Sequence, residues 1–154
     1  MDLSDLIKLE GIILALRAKS KKHVLQEMSA AAADLTGLPE RDIFDTLLQR
    51  ERLGSTGVGQ GVAIPHGKLA ELTEIVGLFA RLEKPIDFEA VDGEPVDVVF
   101  LLLAPESAGA DHLKALARIS RFLRAPSSIE NLRVAASSDA VFAILTESEK
   151  EHAA

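Results

Sequence analysis

The sequence predicts a single layered α/β domain, with a central mixed β-sheet flanked by α-helices. Three observations carry that expectation. Strand-like apolar runs alternate with stretches of helical period along the chain. One run, Val96 to Ala104, is nearly continuous β-branched and apolar residue, as a central strand buried on both faces would be. The chain has 154 residues, 47% hydrophobic and 27% charged, which suits one domain built on one core. The domain is expected to span 1–154, with a polar tail over 147–154 that frays.

The elements are taken in chain order. Gly11 to Arg17 is a short apolar run read as a strand, because Ser20 then serves as the N-cap of the next element, a helix. From Lys21, the residues Val24, Leu25, Met28, Ala32 and Leu35 keep helical spacing, and Gly37 ends that helix. Pro39 suits the first turn of a second helix, with Ile43, Phe44, Leu47 and Leu48 inward and Arg50 near its C-terminal end. A Gly-rich stretch, Gly54 to Gly61, leads into the short strand Val62-Ala63-Ile64, which Pro65 should close. Lys68 to Glu74 reads as a polar turn, and Ile75 to Leu82 as a strand that Arg81 interrupts. Lys84 to Pro95 is an irregular connection with a turn at Asp92-Gly93. After the central strand, Pro105 and a loop lead to a helix from about Asp111, its apolar face being Leu113, Leu116, Ile119 and Leu123. Ser127 or Ser128 can cap a short helix carrying Leu132, and Ser138 or Asp139 can start a last one with Val141, Ile144 and Leu145 inward.

Composition narrows the function classes. There is no Cys, which removes disulfides, thiol nucleophiles and cysteine metal cages, and fits a reducing cytoplasm. A net charge of -7 and the lack of Trp and Tyr argue against nucleic-acid binding. The same charge permits a basic protein partner. No basic-then-apolar leader follows Met1, and the longest apolar run is too short to cross a bilayer, so direct membrane insertion is not expected.

The candidate chemistry centres on Gly54 to Lys68, GSTGVGQGVAIPHGK. Its glycines can form a backbone cradle that approaches a ligand closely. His66, between Pro65 and Gly67, is then an imidazole displayed at the end of a strand, with one side left open. Taken alone, His66 reads equally as a satisfied strand-end histidine without a role. His112 lies at the start of a helix, where free N–H groups and the dipole favour an anion, although Asp111 can equally be the cap and His112 merely its neighbour. Arg50 precedes the Gly-rich loop and can fold over a bound phosphate, or can neutralise the C-terminal end of its helix. Arg52 is described well enough by the second reading. His23 and His152 read as solvated surface residues. The P-loop spacing, the dinucleotide glycine fingerprint, HExxH and the G-x-S-x-G elbow are each absent.

Arg50 to Lys68, RERLGSTGVGQGVAIPHGK, closely resembles the IIA proteins of the phosphoenolpyruvate:sugar phosphotransferase system, fructose/mannitol class. The matching features are the acidic Glu51, then Val58-Gly59, then Val62-Ala63-Ile64-Pro65-His66-Gly67. The resemblance covers essentially the whole chain. Within the class, GSTGVGQGVAIPHGKL and PIDFEAVDGEPVDVVF are most like the nitrogen-regulatory branch. The resemblance implies that His66 accepts a phosphoryl group, at Nε2, from an HPr- or NPr-like phosphocarrier. His112 would donate to the phosphoryl oxygens and Arg50 would stabilise their charge. Backbone N–H groups and hydroxyls at Ser55, Thr56 and Gly57 would help bind phosphate. No metal and no cofactor are implied. The protein would be a cytoplasmic phosphotransferase component that acts on regulatory target proteins, not a free-standing turnover enzyme. A sugar-specific relay that passes the group to an EIIB domain is the alternative, and a non-transferring interaction module a further one.

Overall fold

The computed structural model describes residues 3–153, with side chains described as far as 146. A single turn, α1 (Leu3–Leu6), buries Leu3 and Leu6 and runs directly into β1 (Ile7–Leu16). The strand begins ahead of the expected Gly11. Its early part carries no strand pattern, because Lys8, Leu9 and Glu10 are all exposed. The register shifts between Ile7 and Ile12, so the alternation that marks a strand is broken there. Helix α2 (Lys21–Thr36) starts as predicted: the Ser20 hydroxyl accepts from the His23 N–H at 3.1 Å. Gly37, at φ 75°, ends it. Helix α3 (Glu40–Leu53) has Pro39 as its cap residue, one place earlier than expected.

The Gly-rich stretch is a hairpin. Strand β2 (Gly57–Gly59) pairs antiparallel with β3 (Val62–Ala63). Gln60 and Gly61 turn between them at φ 58° and 79°, the doubly positive pair that tight hairpins favour. Strand β4 (His66–Leu69) comes next, then β5 (Val76–Ile86) and β6 (Val96–Pro105). Strand β5 continues past Leu82 through Pro85, in a stretch where its register with β6 shifts between Arg81 and Ile86, which is where a sheet tolerates proline. The turn expected at Asp92-Gly93 is present, with Gly93 at φ 74° and its N–H on the Ala90 carbonyl at 3.0 Å. A 3-10 turn, Glu106–Ala108, leads to α4 (Ala110–Arg124), α5 (Pro126–Val134) and α6 (Ser138–Ala153). Pro126 opens α5, so neither Ser127 nor Ser128 caps it. The Ser137 hydroxyl takes the Ala140 N–H at the start of α6, one residue ahead of Ser138. The expected polar tail lies outside the residues whose side chains are described.

The sheet is mixed and six-stranded, in the order β1-β5-β6-β3-β2, with β4 also on β6. Strand β6 is its axis. Val99, Leu101 and Leu103 face the core shared with α2 and α3, while Val98, Phe100 and Leu102 face the core shared with α4, α5 and α6. Each such fully buried side chain contributes on the order of 1.5–3 kcal/mol, which is why this strand fixes everything that pairs with it. Arg81, the charge inside β5, is satisfied by carbonyls. Its guanidinium donates to Leu14, Leu132, Arg133 and Ala135, tying β1 and the C-terminal end of α5 to the sheet. Among the described residues, no helix is long and apolar enough to cross a membrane.

Candidate functional site

Strands β3 and β4 are one strand interrupted. Val62 lies opposite Val98 and His66 opposite Leu102, both parallel to β6 and both at an offset of 36 residues. Ile64 and Pro65 form the break. Pro65 has no N–H to give, but its carbonyl accepts from the Leu102 N–H at 2.9 Å, so the register survives. The expected strand therefore does end before Pro65, but His66 opens a second run instead of standing at a strand tip. The Ile64 N–H turns away from β6 to the Thr56 carbonyl at 3.0 Å.

That break sets the imidazole. His66 Nδ1 lies 2.9 Å from the Ile64 carbonyl. A carbonyl can only accept, so Nδ1 carries the hydrogen and Nε2 keeps its lone pair. Arg50 Nε–H donates to that lone pair at 3.2 Å, which agrees with this tautomer. Arg50 Nη1 is anchored on the Gly54 carbonyl at 2.9 Å. The guanidinium reaches the ring because α3 lies close on β4. A Cβ at Gly67 would meet Thr46 Cγ2 at 2.7 Å. The glycine beside His66 is thus filled by a helix on one side, while its other atoms line a cleft.

His112 comes from the first turn of α4, just beyond the C-terminal end of β6, where open α/β sheets place ligands. Its ring centroid is 5.7 Å from that of His66, at 50° between planes. The helix buries His112, Ala115, Ile119 and Leu123, and leaves Leu113 67% exposed. The apolar stripe is therefore rotated by one residue at its start from the expected one, and His112 takes the inward place. His112 Nδ1 is buried without a hydrogen-bond partner. The structure thus brings Arg50, His66 and His112 together at an open cleft of about 620 Å³. Arg52 and Lys68 line it too, so three cations surround a small site on a chain of net charge -7. In the sequence Arg52 reads as a helix-end charge and Lys68 as part of a turn; only the close packing of α3 on β4 puts them here. A smaller cavity of about 200 Å³, between the end of α2 and the start of β5, holds none of these groups.

Ser55, Thr56 and Gly57 are placed differently. The Ser55 hydroxyl donates to the Phe88 carbonyl at 2.8 Å and accepts from the Gly57 N–H at 3.0 Å. Thr56 gives its N–H and its hydroxyl to the two oxygens of Glu51, each at 2.7 Å. These donors are engaged within the protein, and none of the three residues lines the cleft. The anticipated cradle is likewise filled, since a Cβ at Gly57 would meet Ala90 Cβ at 2.8 Å. His23 lies at the exposed start of α2, its Nδ1 accepting from the Lys19 N–H at 3.2 Å. His152 is outside the residues with described side chains.

Burial holds both site imidazoles below the ordinary 6.5. At His66, Arg50 adds to that effect while the Ile64 carbonyl and Glu51 oppose it; at His112, the charges of His66 and Lys68 add to it. Both rings are therefore neutral at pH 7, and Nε2 of His66 is available. The unfolded chain binds these protons more readily than the folded one. The associated stability is present above pH 6.5 and is lost as pH falls through the lowered folded values. Urea midpoints measured at about pH 7.5 and about pH 5.5 should show this decline, and His112→Gln should lessen it. An identical decline in both proteins would count against the assignment.

The description "phosphoenolpyruvate-dependent sugar phosphotransferase system, EIIA 2" belongs to a family model that matches residues 5–148. A nitrogen regulatory protein of Bradyrhizobium diazoefficiens is 59% identical over 145 residues, covering 94% of this chain and 95% of that protein. One from Escherichia coli K12 is 39% identical over 150 residues, covering 97% and 92%. The crystal structure of the nitrogen regulatory protein IIA-Ntr from Neisseria meningitidis matches with a TM-score of 0.89 at 39% identity, covering 94% of this chain and 99% of that one. With the family model, two sequences and a solved structure agreeing along nearly the whole length, the chain belongs to the EIIA 2 family of the phosphoenolpyruvate-dependent sugar phosphotransferase system.

Proposed function

We propose that this chain is a phosphoryl carrier of the nitrogen-regulatory branch, accepting the group on His66 Nε2 from a phosphohistidine of an HPr-like carrier protein. One observation carries the reading. The Nδ1–H of His66 is held by the Ile64 carbonyl, so the lone pair at Nε2 faces Arg50 and the open cleft. In the transfer, the phosphorus–nitrogen bond on the donor breaks as a new one forms at Nε2. The donor nitrogen recovers its electron pair, and no proton has to move at Nδ1. Phosphoryl transfer asks chiefly for alignment and charge stabilisation. Arg50 would release the lone pair and turn its N–H groups to the phosphoryl oxygens, joined by His112. Ser55, Thr56 and Gly57 have a smaller part in this reading, as supports of the loop. This reading puts the chain in the cytoplasm, where a carrier charged from phosphoenolpyruvate would meet it.

A phosphoryl group adds a charge of about -2 amid three cations, which changes the face offered to regulatory targets. Intact-mass analysis after incubation with phosphoenolpyruvate and the general phosphocarrier components should find one phosphoryl group on the wild type and none on His66→Ala. An unmodified wild type, or an equally modified variant, would overturn the proposal. Rapid onward transfer to a sugar-specific EIIB domain would instead mark a transport relay.

A further inference from the structure

We infer that Glu51 is a positioning residue of this site: its buried carboxylate holds Thr56 and, through Thr56 and Ile64, the Nδ1–H side of the His66 ring. The inference rests on His66 as the acceptor. Glu51 is 4% exposed, and its oxygens accept the Thr56 N–H and hydroxyl at 2.7 Å each. Lys21, at the start of α2, sits 3.3 Å from the same carboxylate and 5.4 Å above the Phe88 ring. A buried carboxylate is costly unless its oxygens are satisfied, and here they are.

Two paths run from it to the ring. The first passes through Thr56, whose carbonyl accepts the Ile64 N–H at 3.0 Å; the Ile64 carbonyl in turn accepts His66 Nδ1–H at 2.9 Å. The second passes through Gly54, whose N–H donates to the Glu51 carbonyl at 3.2 Å. The Gly54 carbonyl anchors Arg50 at 2.9 Å, and Arg50 donates to His66 Nε2 at 3.2 Å. The tautomer thus traces back to the carboxylate through Thr56, whereas the route through Gly54 starts from the Glu51 main chain and persists in any side-chain variant. Glu51 also acts through space, where its negative charge supports protonation of His66 against burial and Arg50. A brace that only filled space would have no such effect. The other charged or titratable groups around the ring are Arg50 on α3, Lys68 on β4 and His112 on α4.

The test follows the His66 ring nitrogens by NMR in the unphosphorylated full chain, and separately measures phosphoryl uptake from a phosphorylated carrier. Glu51→Ala should lose the preference for Nδ1–H and slow uptake by about tenfold to a hundredfold. Glu51→Gln keeps an oxygen for the Thr56 N–H. It should retain the tautomer and recover most of the rate, while His66 titrates at lower pH than in the wild type. Should Glu51→Ala fail to fold, Glu51→Asp, whose carboxylate stops one methylene short of the Thr56 donors, should show the same loss of the Nδ1–H preference. Unchanged ring spectra and titration in these variants would overturn the inference. If the wild type takes up no phosphoryl group, the carrier reading fails on its own, and the ring spectra still judge Glu51.

Discussion

Replacing Arg50 by Ala is expected to slow phosphoryl uptake at His66 by about a hundredfold to a thousandfold, with the fold intact. Arg50 is half-buried in the last turn of α3 and hydrogen-bonds the Gly54 carbonyl and the His66 ring. Its contribution to stability is that of a cation at a helix end, about 0.3–1 kcal/mol. If His66 accepts a phosphoryl group as proposed, the contribution of Arg50 to transfer is larger, because its N–H groups are already held beside Nε2, where charge would develop. Arg50→Lys keeps the charge and loses the planar fork, so it should recover only part of the rate. The variant carries a second, independent signature. The guanidinium holds the protonation of His66 down, so its removal should move the His66 titration to higher pH. Rapid-quench kinetics with a phosphorylated carrier would check the first effect and ring NMR the second. Uptake by Arg50→Ala within about threefold of wild type would remove Arg50 from the mechanism.

Legibility in the sequence divides along a physical line. Strand β6 is legible because a strand buried on both faces needs an unbroken apolar run, and Val96 to Ala104 is one. The Ser20 and Gly37 caps are legible because capping is local chemistry. Arg50, His66 and His112 stand out by residue type and position, and they do converge. Strand β4 is not legible: His66-Gly67-Lys68-Leu69 has no strand propensity and is strand only because β6 imposes its register on it. The inward turn of His112 is hidden for a similar reason. Leu113 has the more apolar side chain, yet the cleft leaves it outside. The glycines mislead most. Composition shows that a Cβ is missing, but not whether ligand, strand or helix fills the space, and at Gly57 and Gly67 it is protein.

The space beside Gly67 makes the strongest structural prediction. Gly67→Ala is expected to cost about 1–3 kcal/mol of stability and to impair phosphoryl uptake. The backbone at Gly67 is not in the left-handed region, so alanine meets no conformational strain there. The cost is contact alone, with the new methyl 2.7 Å from Thr46 Cγ2. Rotating Thr46 away sacrifices the bond from its hydroxyl to the Asp42 carbonyl at 2.8 Å. The alternative is for the helix to lift from β4, and Arg50 stands one turn further along that same helix, over the His66 ring. A shift of a fraction of an ångström there weakens the Nε–Nε2 bond. Thr46→Ser deletes the obstructing methyl and keeps the hydroxyl, so the double variant should regain most of the stability and most of the uptake. Denaturation midpoints and uptake rates for the two single variants and the double form a complete cycle. If Gly67→Ala matches the wild type, or if Thr46→Ser fails to rescue it, then the close approach of α3 to β4 is not what holds Arg50 against the ring.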